Sequence, residues 1–317
     1  MFEITKMDGD NPVKFMDYRK HTTWLSIVFA VIALTSLTIN KLNWGLDFTG
    51  GTLVEVSFSQ AADLPKLRDV LADNSFDDAV VQSYGTPQDV LVRIPPRDTA
   101  EAESIGEQLL TLLQAEIDSN IVMRRVEFVG PQVGDELAEA GALAILVAMI
   151  CILAYVSFRF EWRLAMSAVA GLFQDVLMIL GVFSLLQIEI DLTILAALLA
   201  VIGYSLNDSI VVADRIRENF RLLRKETPVS VFNISISQTM SRTLITSLTT
   251  LLVLVTLFFF GGPMIEGFSI AMIIGVVVGT YSSVFTRSTL ALALGISREN
   301  LMPPEVEKEG EDQEVLL

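Results

Sequence analysis

The run of apolar and polar positions divides the chain before any single residue is weighed. Six apolar stretches are each long enough to cross a bilayer, which takes about 20 residues at 1.5 Å per residue. They cover 24–42, 138–158, 164–186, 192–213, 243–260 and 268–290. Between the first two lies a polar stretch whose own period changes. Residues 53–58 alternate as a strand, 63–73 read as a short helix, and 79–84 and 90–94 flank a Gly85-Thr86-Pro87-Gln88 hairpin signal. Ile105, Leu109, Leu112 and Leu113 give 99–117 a helical spacing, and 121–129 closes with a strand. The order βαββαβ predicts a ferredoxin-like split-βαβ domain. The expected fold is an α-helical polytopic membrane protein with six transmembrane helices and a small α+β domain between helices 1 and 2. Its parts are an N-terminal segment 1–23, helix 1 at 24–42, the extracytoplasmic domain 43–137, helices 2–6 within 138–292, and an acidic tail 293–317.

Two glycine-bearing segments join the domain to the helices. Gly50 and Gly51 lie on the way in, Gly130 and Pro131 on the way out. Such residues suit either a hinge that lets the domain swing or a fixed tight turn.

Polar residues inside the apolar runs carry the functional question. Helix 4 contains Asn207 and Asp208, and an aspartate at a helix centre costs roughly 2.5–3.5 kcal/mol in a bilayer, so it reads first as a functional site. Helix 3 contains Asp175. Helix 5 begins at Arg242, and Thr246, Thr249 and Thr250 follow at helical spacing, a hydroxyl stripe that suits a hydrated cation path or simple helix adhesion. Burial favours the neutral form of Asp208, whereas a nearby Arg242 favours the carboxylate, so a change in their separation couples ionisation to shape. The bland alternatives are a permanent Asp208–Arg242 pair, or an Asp208 solvated near the interface, since Arg215 follows about 10 Å along the helix. Helix 6 shows Gly267, Ala271, Gly275, Gly279 and Ser283 four apart, a packing ladder. Arg287 continues that row and reads as a cation snorkelling to the surface.

Charge then orients the chain. Arg159 and Arg163 follow helix 2, and five basic residues crowd 215–226, whereas the turns 187–191 and 261–267 hold acids alone. The positive-inside rule puts both termini in the cytoplasm and 43–137 outside it. The net charge of −16 offers no basic stripe for phosphates, so nucleic-acid binding is not expected. A single cysteine rules out an intramolecular disulfide. The domain shows no Ser/His/Asp set, no Cys/His cluster and no phosphate loop, so neither an enzyme nor a metal site is expected.

The strings GLDFTGGT (45–52), VGPQVGDEL (129–137), VIGYSLNDSIVVADRIREN (201–219) and SRTLITS (241–247) resemble those of the SecF branch of the SecD/SecF family, within the resistance-nodulation-division superfamily. The resemblance covers nearly the whole chain. It implies a SecD partner, association with the SecYEG channel in the bacterial inner membrane, and contact with a translocating unfolded polypeptide. It implies no cofactor beyond a coupling ion, H⁺ or Na⁺. The family's cation-path aspartate falls on Asp208 and its partner arginine on Arg242; Asn207, Asp175 and Thr246 complete the candidate set. Two other classes stand beside this one. A half-exporter of small hydrophobic molecules predicts a Phe- and Met-rich pocket in 43–137, and a passive scaffold predicts polar groups that only specify helix pairing.

Overall fold

Each apolar run is a helix in the computed structural model, which describes residues 12–97 and 99–301. A 3-10 turn, Phe15–Tyr18, leads into α1 (Arg19–Ile39). A two-residue strand β1 (Asn43–Trp44) and one turn of helix α2 (Leu46–Thr49) open the small domain. That domain runs β2 (Gly51–Ser57), α3 (Leu64–Asp73), β3 (Val80–Tyr84), β4 (Thr86–Ile94), α4 (Thr99–Glu116) and β5 (Val122–Val129). Then come α5 (Pro131–Arg159), α6 (Trp162–Leu186), the two-residue β6 (Glu189–Ile190), α7 (Leu192–Leu222) and α8 (Pro228–Phe260). The last span, α9 (Pro263–Tyr281), passes through a π-helical segment, Ser282–Thr286, into α10 (Arg287–Ala293); α11 (Arg298–Leu301) is a single turn.

Side-chain caps set several helix starts. The Asp191 carboxylate accepts from the Ile194 amide, Thr227 from Ser230 and Asp63 from Lys66, each satisfying an amide that the first turn leaves unpaired. Two helices outrun their apolar stretches. The basic segment expected as a loop over 215–226 is helical as far as Leu222, and α8 starts fifteen residues before its apolar run. Hydrogen bonds between the helices hold these extensions: Asn219 donates to Ser235 Oγ at 2.8 Å and Arg215 Nε to Gln238 Oε1 at 2.6 Å. Hydropathy cannot register a polar residue whose partner sits on another helix. The acidic tail expected over 293–317 contains a helical turn, Arg298–Leu301, in which Leu301 is buried; residues 302–317 and 1–11 lie outside the described part.

The four strands of the small domain form an antiparallel sheet in the order β3-β4-β2-β5. With α3 and α4 on one face, this is the split-βαβ arrangement. Val54, Val56, Val90 and Val92 pack against Leu67, Leu71, Leu109 and Leu113. Cross-strand pairing puts Leu53, Glu55, Leu91, Arg93, Arg125 and Glu127 on the opposite face. That face meets the helical bundle. Arg93 pairs with Glu189 at 3.3 Å, and Arg125 lies 3.4 Å from Met264 Sδ. Strand β1 pairs in parallel with β6, and the Leu192 amide donates to Asp47 Oδ2 at 2.9 Å, tying the start of α7 to the domain. Burial pushes the Glu189 carboxyl above its usual range, with Arg93 offsetting only part of the shift. The docked state therefore gains from a protonated Glu189, a gain that is present below pH 4.5 and lost as pH rises through the higher docked value.

Within the bundle α7 and α9 form the spine. Half of the most apolar window of each is buried, against at most 17% for α1, α5 and α8. Two apolar clusters fill the interior. Ile179, Phe183, Ile194 and Leu198 lie toward the small domain, and Leu164, Ile216, Phe232 and Ile236 toward the termini. The candidate site is the polar layer between them.

Candidate functional site

Asp175 of α6 and Arg287 at the start of α10 meet in this layer. Arg287 Nη2 stands 2.5 Å from Asp175 Oδ2, with side chains 5% and 1% exposed. Ser205 of α7 donates to the same carboxylate oxygen at 2.6 Å. The second guanidinium nitrogen, Nη1, donates to the Ser205 carbonyl at 2.8 Å and to Ser209 Oγ. Missing side chains make the space. A Cβ at Gly171 would run into the Arg287 side chain, and one at Gly279 would lie 2.8 Å from Ser205 Oγ. The sequence row that placed Arg287 at the surface is corrected here, because α10 continues inward-facing past it and Arg287, Ser288 and Ala291 are all buried. Snorkelling needs a helix end nearby; here the cation is held by charge-assisted hydrogen bonds instead.

Asp208 lies on α7 between the two serines' turns and is 5% exposed. Among the described residues its Oδ2 has no hydrogen-bond partner and its carboxylate no ion pair within 4 Å. Both Arg287 and Arg242 are within Coulombic reach, Arg287 more strongly. The expected Asp208–Arg242 contact is thus not formed in this chain. Arg242 stands on the exposed face of α8 beside Leu244, Ile245 and Leu248, and Asn207 on the exposed face of α7. The threonine stripe is exposed to half-buried, and its hydroxyls bond within their own helix. Thr246 donates to the Arg242 carbonyl at 3.0 Å and Thr250 to the Thr246 carbonyl at 2.8 Å. Only Ser247 crosses to a neighbour, at 2.7 Å from Thr280 Oγ1.

At the junction Gly50 packs closely on Pro131 and Gly51 on Ile94, whereas a Cβ at Gly130 would meet nothing within 4 Å. Gly50 and Gly51 have φ of +67° and +119°, open to glycine and strained for other residues. A Cβ at Gly50 would lie 2.9 Å from Pro131 Cα, and one at Gly51 would overlap the Ile94 carbonyl. Gly130 caps α5, with Pro131 at its first position.

Within the layer, the sequence reads Arg287 as a surface cation and does not single out Ser209. The available signal for Arg287 was the apolar stretch STLALAL that continues beyond it, which leaves a cation inside the span rather than at its edge.

Comparison with known proteins decides the family. The family model described as "Protein export membrane protein SecD/SecF, C-terminal" matches residues 110–297, and the "SecD/SecF GG Motif" model matches residues 35–62, which hold Gly50 and Gly51. The chain is 55% identical over 310 residues to protein translocase subunit SecF of Vibrio alginolyticus, covering 98% of each chain. The chain belongs to the SecD/SecF family. Its relatives include the SecF subunit of Escherichia coli O157:H7, 48% identical over 96% of this chain and 95% of that one. Among solved structures, SecDF from Thermus thermophilus, titled a translocon-associated membrane protein, superposes with a TM-score of 0.83 at 35% identity over 93% of this chain. This chain spans 39% of that longer SecDF chain. A SecDF structure in a super-membrane-facing form superposes at 0.67, with 36% identity over 90% of this chain. The SecF-like layout of one span, a small α/β domain and five spans accounts for the whole described chain.

Proposed function

We propose that this chain works with a SecD subunit as a cation-coupled component of bacterial protein export. It sits in the inner membrane with both termini cytoplasmic and the small domain periplasmic. There it assists late steps of preprotein passage through a SecYEG channel, carrying out no covalent chemistry of its own. One observation carries the reading: Asp208 is buried, among the described residues it has no ion pair, and two guanidiniums, those of Arg287 and Arg242, act on its charge. A carboxylate in that position gains or loses a cation, H⁺ or Na⁺, at a cost that depends on where those guanidiniums stand. One charge moving through 100 mV supplies roughly 2.3 kcal/mol, enough to bias two close-lying states.

Helix α7 supplies the mechanical link. Asp208 lies sixteen residues from Leu192, about 24 Å along the helix, and the Leu192 amide is bonded to Asp47 at the domain junction. A displacement of α7 at the charged layer therefore reaches the small domain through a rigid rod. Arg242 and Asn207 on the open face of α7 and α8 support the SecD partnership, since an arginine facing lipid at that depth is costly and a polar partner relieves it. The unequal superposition on two SecDF structures, at similar coverage, supports more than one arrangement in the family.

The test is preprotein export by vesicles holding the complete SecD-containing complex and SecYEG, with and without an imposed gradient. Asp208→Asn should reduce gradient stimulation at least about tenfold, the effect of losing roughly 1.4 kcal/mol of coupling. Undiminished stimulation in that variant would end the coupling role.

A further inference from the structure

Among the described residues the buried layer holds two acids and one base, Asp175, Asp208 and Arg287, while Arg242 stands outside on the exposed face of α8. One guanidinium cannot compensate both carboxylates at once. We propose that Arg287 is the positioning residue of the coupling step, a fork that exchanges between Asp175 and Asp208 as the charge on Asp208 changes. This rests on the reading that Asp208 takes the coupling cation.

Four features of the site fit exchange better than a static pair. Arg287 already grips α7 on both sides of Asp208, at Ser205 and Ser209. Donor and acceptor capacity is left over among the described residues: Arg287 Nε, Asp175 Oδ1 and Asp208 Oδ2 make no hydrogen bond. A cavity of about 30 Å³ adjoins the guanidinium, lined by Ser167, Ser209, Ser283 and Ser288 among others. It is large enough to hold a water beside the guanidinium, which gives the fork room to move away from Asp175.

The fourth feature is the π-helical segment Ser282–Thr286 directly before Arg287. In an unbroken α-helix Arg287, eight residues after Gly279, would be turned about 80° from it. One extra residue in a π-turn removes about 100° of rotation and brings Arg287 back to the face where Gly279 meets Ser205. Such segments are frequent at functional sites. Releasing this one into regular helix would turn the guanidinium away from Asp175 without unfolding the span.

With Asp208 ionised, Arg287 swings toward it and loosens α6; with a cation on Asp208, Arg287 returns to Asp175 and draws α6, α7 and α10 together. The layer thus has two arrangements, and the cation selects between them.

The experiment takes the SecD-containing complex in vesicles and compares the ratio of export with a gradient to export without one. The double substitution Asp175→Asn/Arg287→Gln removes both charges, so a pair that only holds the fold is replaced by neutral hydrogen-bonding groups and should keep the parent ratio. Exchange predicts a complex that still co-purifies with SecD and melts near the parent temperature, yet loses the gradient stimulation at least tenfold. Arg287→Lys keeps the charge but cannot fork between α7 and Asp175, and should lose stimulation likewise. It decides the matter should the double variant fail to assemble. Full stimulation in either variant overturns the proposal. If Asp208→Asn abolishes stimulation while the double variant keeps it, only the exchange is wrong. If Asp208→Asn keeps it, the coupling reading itself falls.

Discussion

Arg287→Met destabilises the bundle by about 3–5 kcal/mol, the range observed when one member of a buried ion pair is removed. The size follows from what remains. Asp175 is then an acid with no cation beside it, in an interior where its side chain is 1% exposed. It must either stay ionised without compensation or take up a proton, and the surrounding α6, α7 and α10 lose the bonds that Arg287 makes to Ser205 and Ser209. Methionine keeps the stem that packs against Gly171 and lacks the guanidinium, so the loss combines the charge with the small volume of the head group. Adding Asp175→Asn to the same chain should recover most of the stability, because neutral replacement of both partners is often close to neutral overall. Thermal unfolding of the purified complex measures both. A single-variant loss below about 1 kcal/mol would mean that the pair behaves as an exposed one and that water reaches the layer.

Gly51→Val acts at the other end of the molecule and breaks the junction. A φ of +119° is closed to a β-branched residue, and the new Cβ would overlap the Ile94 carbonyl in the first residues of the sheet. Strain of that kind costs about 1–3 kcal/mol, and forced overlap in a packed site adds about 1–3 kcal/mol more. The chain relieves both by parting β2 from β4 near Ile94 or by lifting α2 away from the start of α5. Either route loosens the Arg93–Glu189 and Asp47–Leu192 ties that hold the domain to α7. The expected result is rapid limited proteolysis around residues 45–52 with the helical bundle still intact. A junction cut no faster than in the parent would show that the two glycines are dispensable.

How much of this was readable in advance depends on the range of the interaction involved. The six spans were legible because each is a local property of twenty or so consecutive residues, and the small domain because its period switches cleanly from helix to strand. The ends of α7 and α8 were not, since Asn219, Ser235 and Gln238 look like loop residues until the neighbouring helix supplies their partners. The same limit governs the charged layer. Asp175 and Asp208 announced themselves by cost alone, but which cation serves which acid depends on helix rotation. The π-helical turn rotates α10 by an amount that a four-residue count along α9 cannot anticipate. Arg242, the counter-ion expected for Asp208, faces outward in this chain, and Arg287, read as a surface residue, lies in the interior. The mechanical link from α7 to the junction rests on the bond between the Leu192 amide and Asp47, residues 145 positions apart, which no local pattern encodes.

The central claim is that a change of charge on Asp208 moves α7 and, through it, the small domain. Spin-label distances test this most directly, with one label on α4 of the small domain and one at the end of α8 remote from that domain, in SecD-containing vesicles where H⁺ and Na⁺ gradients are imposed in turn. The account predicts a two-peaked distance distribution whose balance shifts when the effective gradient is applied, and a single unresponsive peak in Asp208→Asn. Equal gradient-driven shifts in parent and variant, or one fixed distance in the parent under every gradient, would contradict it.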